Sequence, residues 1–183
     1  MKKLILLFSL ISVISCRDNK KENQNVVEEQ YNVITNDSVA DNLYYEVIIG
    51  VIVKQNDRFH LFYKDFNDDG YSSDRVIETI IKGSEINQQI TFPIPEEVIP
   101  NGLRIDFGIN YSQPPIILNS LKIRYNKKEF SFDDGKFEQL FRPNKFVSYN
   151  ELEKKIVTEP IDGVYDPNFV SIDIGEIFFS LMD

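Results

Sequence analysis

The stretch Arg58-Phe59-His60-Leu61-Phe62-Tyr63-Lys64 decides the fold. Phe59, Leu61 and Tyr63 alternate with Arg58, His60 and Lys64, the period of two that marks a strand with one face in a core and one in solvent. Upstream, residues 44–53 are β-branched and aromatic, and Gln55-Asn56-Asp57 supplies the turn between the two strands. Downstream, the polar loop Asp65-Phe66-Asn67-Asp68-Asp69-Gly70 leads to strands expected at residues 75–81 and 88–94. Pro93, Pro95 and Pro100 close the second of these, because proline cannot donate to a ladder. Leu103, Ile105 and Phe107 point inward, with Arg104 and Asp106 outward, over a strand at 103–109. After Pro114-Pro115 the next strand covers 116–125. Two short pieces follow, and a final strand runs from 169 to about 180. Only Ser148-Tyr149-Asn150-Glu151 has the form of a helix start, a capping box with little apolar periodicity behind it. Many short strands separated by turn clusters predict an all-β fold, a single jelly-roll-like β-sandwich over residues 43–183.

The N-terminal end carries a different signal. Lys2 and Lys3 precede an apolar run from Leu4 to Val13, which ends at the small residues Ser15 and Cys16. This is the pattern of an export signal, too short for a stable membrane span. Val13-Ile14-Ser15-Cys16 resembles a bacterial lipobox, so residues 1–15 read as a lipoprotein signal peptide and Cys16 as the acylated first residue of the mature chain. Cys16 is the single cysteine, so it has no intramolecular disulfide partner. Two or more acyl chains make the membrane a partner, since each buried methylene adds about 0.8 kcal/mol. Arg17 stands where an aspartate would resemble an inner-membrane retention signal, which points to the outer membrane. Residues 16–42 are rich in Asn, Lys, Glu and Asp and read as a flexible tether. Fully extended, such a segment reaches ~85 Å.

A net charge of -9 argues against a nucleic-acid partner and against direct adsorption to an anionic membrane. The loop at Asp65, Asn67 and Asp69 fits the first half of an EF-hand-like calcium loop, and Ca2+ is the one cofactor the sequence suggests. Its twelfth position is Val76 where a bidentate Glu is needed, although Asp74 or Glu78 offers a substitute. An acidic hairpin loop shaped by Asn, Asp and Gly explains the same residues. His60 is the single histidine, so zinc or triad chemistry would have to be built around it; strand alternation places it in solvent. With 29 Asp and Glu residues, a carboxylate pair at glycosidase spacing is expected by chance and identifies no catalytic residue. Arg104 and Asp106 share one strand face and can form an ion pair or a polar patch. Tyr63, Tyr71 and Tyr111 lie at or near predicted loops, where exposed rings can stack on sugar faces.

The order of several of these segments carries a resemblance. Phe59-His60-Leu61-Phe62-Tyr63, the loop ending Gly70-Tyr71, Ile90-Thr91-Phe92-Pro93-Ile94-Pro95, Leu103-Arg104-Ile105-Asp106 and the strand from Ile116 to Ile123 resemble galactose-binding-like and carbohydrate-binding-like modules. Such modules are appended to bacterial surface-polysaccharide glycosyltransferases. The likeness covers residues 44–125, and Asp166-Pro167-Asn168-Phe169 resembles the module's closing segment; Phe107 stands in place of a proline. The resemblance implies a non-catalytic sandwich that contacts glycans, and the residues read above, Tyr63, Tyr71, Arg104, Asp106 and Tyr111, are the candidate ligand contacts. The expected function is therefore a non-enzymatic cell-envelope lipoprotein whose sandwich binds carbohydrate or another envelope component. The alternatives are a structural lipoprotein with a protein partner and a hydrolase.

Overall fold

The computed structural model describes residues 43–133 and 135–183. The expected signal peptide, Cys16 and the expected tether lie outside the described residues. Among the described residues, eleven strands, β1 to β11 in chain order, and two helices are joined by turns and loops. One sheet runs β4 (Gln88–Pro93), β1 (Tyr45–Ile52), β6 (Ile116–Tyr125), β10 (Lys155–Thr158), β9 (Val147–Asn150), with β7 (Lys128–Ser131) also on β6. The other runs β3 (Val76–Ile81), β2 (Asp57–Lys64), β5 (Gly102–Asp106), β11 (Asn168–Ser171), β8 (Phe141–Pro143). Every pairing is antiparallel, and the two sheets pack face to face as an all-β sandwich.

Period-two alternation builds the core. Phe59, Leu61 and Tyr63 from β2 and Leu103 and Ile105 from β5 face Val47, Ile49 and Val51 from β1 and Leu121 and Ile123 from β6, all buried. Aromatic rings fill the remaining volume edge to face. Phe107 packs against Phe59 at 5.2 Å and against Phe169 at 5.6 Å between centroids, the T-shaped geometry that the ring quadrupole favours.

Three expectations change. The strand expected at 169–180 ends at Ser171, and Gly175–Met182 forms helix α2. Phe178 and Leu181 in the helix and Ile174 at its N-cap are buried, spaced four and three apart, so one helical face reaches the core where a strand would turn alternate residues away. The capping box at Ser148 does not open a helix. Ser148, Tyr149 and Asn150 belong to β9, paired with β10, and Asn150 Oδ1 accepts from Glu153 N at 3.1 Å to shape the turn that follows. The region after β6, expected as two short pieces, holds β7 to β10 and the one-turn helix α1 (Lys136–Leu140).

Candidate functional site

The outer face of the second sheet gathers the polar residues of β2 and β5. Antiparallel register sets Phe62 beside Arg104, His60 beside Asp106 and Lys64 beside Gly102. On the far side Val170 pairs with Arg104 and Asn168 with Asp106. Arg104 is the centre of the group. Its Nε and Nη2 donate to the two oxygens of Asp106 at 2.7 and 2.9 Å, and Nη2 also donates to Asp166. The guanidinium carbon lies 5.1 Å from the Phe62 ring centroid, a cation–π placement. Burial works against the Arg104 charge, but Asp106 and Asp166 outweigh it and hold its pKa above the ordinary value. The Asp106 carboxyl is pushed up, because burial outweighs the attraction of Arg104.

Two further groups frame this centre. Tyr71 leaves the loop before β3 and lies over Gly102, where a Cβ would come within 3.0 Å of its hydroxyl. Burial raises its pKa, offset in part by a hydrogen bond with Ser171 and by the charge of Arg104. Lys64 Nζ stands 5.8 Å from the Tyr71 ring centroid. At the opposite end His60 Nε2 lies 3.2 Å from Glu78 Oε2, and Arg58 Nη1 donates to the same oxygen at 3.1 Å. The result is an open face with a planar donor fork, carboxylate acceptors and two aromatic rings, Phe62 and Tyr71.

Of the five candidate contacts, the structure brings together Tyr71, Arg104 and Asp106. Tyr63 is corrected: it is 7 % exposed and shares the inward phase of Phe59 and Leu61, so its ring belongs to the core. Tyr111 is 70 % exposed but sits at the other end of the sandwich, in the β5–β6 loop. That loop is fastened by buried Asp57, whose carboxylate accepts from Ile109 N at 2.8 Å, Asn110 N at 3.1 Å and Gln113 Nε2 at 2.8 Å. Gly108 turns the chain here with φ of 101°, and any side chain at it would fall onto the Asp57 carboxylate. Phe62 is a contact that the candidates omitted. Its signal was a large apolar residue in the outward phase of β2.

The acidic loop is closed by an arginine. Arg75 Nη1 bridges Asp65 Oδ2 at 2.9 Å and Asp68 Oδ2 at 3.0 Å. Asp65 Oδ1 also accepts from Asn67 N at 2.7 Å, and that bond, with Arg75, holds the carboxyl below the usual range. Asn67 and Asp69 point to solvent at the loop tip. Among the described residues no group of three or more His, Cys, Asp or Glu side chains is placed to hold a metal ion.

The chain matches no family model, no curated protein and no solved structure.

Proposed function

We propose that this is a non-catalytic cell-envelope lipoprotein, anchored to the outer membrane through Cys16, whose sandwich binds carbohydrate on the outer face of the second sheet. One observation carries the reading: Arg104, over the Phe62 ring and forked onto Asp106, stands near Tyr71 on an open face. Sugars expose alternating hydroxyls and apolar ring faces. A fixed donor fork with adjacent acceptors suits the first, and partly exposed aromatic rings suit the second. The likeness to galactose-binding-like modules over residues 44–125 points the same way.

A thermal-shift screen of the full chain against envelope glycans tests it. A ligand at 100 times its Kd adds about 2.7 kcal/mol, a clear rise in melting temperature. Tyr71→Ala should abolish that rise while the unliganded protein still melts cooperatively. No shift with any glycan sinks the carbohydrate reading. Cys16→Ser tests the anchor separately, by moving the protein from the membrane pellet to the soluble fraction. Calcium and EDTA belong in the same screen, where a calcium shift removed by Asp69→Ala would assign the ion to the acidic loop.

A further inference from the structure

Register across the second sheet orders its outer face into rows that cross the strands. One row holds Val76 of β3, Phe62 of β2, Arg104 of β5, Val170 of β11 and Arg142 of β8, each paired with the next. All the strands of the sheet contribute to it, and its ends fall on the two edge strands, β3 and β8. Paired strands stand about 4.8 Å apart, so the row is ~19 Å long. A second row holds Glu78, His60, Asp106 and Asn168, paired in the same way. Each lies two residues along its strand from a member of the first row, so both rows share the face.

The two rows differ in chemistry. The first is Val, Phe and Val interrupted by two guanidinium groups, and the second is polar at every position. At the centre of the first row Arg104 lies over the Phe62 ring. At its end Arg142 is held by Nη1, which donates to the Glu138 and Phe141 carbonyls. Tyr71 closes the other flank, reaching from Lys64 of β2, past Gly102 of β5, to a hydrogen bond with Ser171 of β11.

This layout sets the shape of the occupant. A single sugar ring covers one or two positions of the row. A chain of sugars laid across the strands meets apolar side chains beneath its rings and a line of hydrogen-bonding groups along one edge at each successive unit. Neither end of the row meets a further strand of the sheet, so the chain has room to continue past both.

We propose that the outer face of the second sheet takes an internal stretch of a linear polysaccharide, several units long and running across the strands from β3 to β8, in preference to a free sugar or a chain end. The inference rests on the carbohydrate reading and adds to it the length and direction of the ligand.

Isothermal titration of the full chain in detergent tests it, with fragments of one to six units made by partial acid hydrolysis of the envelope glycans. Affinity should rise roughly tenfold or more from one unit to about four and then level off, as the row fills. Borohydride reduction of the terminal unit of the longest fragment should leave its affinity unchanged. Arg142→Ala and Val76→Ser, at opposite ends of the row, should each weaken the longer fragments about fivefold and leave single sugars unaffected. Melting curves establish that each variant is folded. An affinity that does not grow with length, or that is lost on reduction, overturns the inference and leaves the carbohydrate reading standing. If both end variants bind the longer fragments as the parent chain does, the ligand does not follow the row and the inference falls as well. No binding by any fragment or by intact glycan overturns the carbohydrate reading and the inference with it.

Discussion

Tyr45 shows how one buried hydroxyl ties the C-terminal helix to the sheet. It is 2 % exposed, and its Oη donates to the Phe178 carbonyl at 2.7 Å while its ring meets the Phe178 ring edge to face at 5.1 Å. Burial, then the charge of Tyr125, pushes its pKa up to about 12. The unfolded value is about 10. Stability from this group is therefore complete below the unfolded value and falls as pH rises toward the folded one, because the unfolded chain ionises first. Tyr45→Phe should cost about 1–2 kcal/mol at neutral pH. It should also make the alkaline fall in melting temperature shallower, though Tyr71, Tyr149 and Tyr165, raised by burial as well, keep part of the slope. A melting series across alkaline pH on both proteins checks it. At this scale the candidate site was half legible. Alternation along β2 already put Tyr63 with Phe59 and Leu61, and its phase outranks its position near a loop. The Asp57 clamp was hidden, because its partners Ile109, Asn110 and Gln113 lie more than fifty residues away.

Helix α2 illustrates what a short element can conceal. Gly-Glu-Ile-Phe-Phe-Ser-Leu-Met is β-branched and aromatic enough to pass for a strand, and local propensity yields to packing when an element is this short. What decides it is the spacing of Ile174, Phe178 and Leu181, all buried. Phe178→Ala should destabilise the protein by about 3–5 kcal/mol, the cost of emptying a core position. Met182→Ala, in the same helix but 37 % exposed, should cost under about 0.5 kcal/mol. Urea titrations of Phe178→Ala and Leu181→Ala separate the helix from a strand: both are buried and both should be costly, whereas in a strand positions 178 and 181 would point to opposite faces and only one would be. The long strands β1, β2 and β6 were legible because eight or ten residues give the period enough repeats; β7 to β10, at three or four residues, give too few.

Both sheets share one core, assembled from residues between Tyr45 and Leu181, and neither can bury its inner face alone. A chain beginning at Ser38 should therefore unfold in a single cooperative transition, with fluorescence and circular dichroism giving coincident curves; two separate transitions would refute the shared core. The sequence by itself determined the class of fold, since hydrophobic alternation and turn residues act over a few neighbours, and it placed Arg104 and Asp106 on one strand face for the same reason. Only the tertiary structure decided which strands meet. It set Phe62 and Tyr71 against Arg104, closed the acidic loop with Arg75, and laid Ile52 beside Ile117, because each of those contacts depends on register between segments that no local pattern relates.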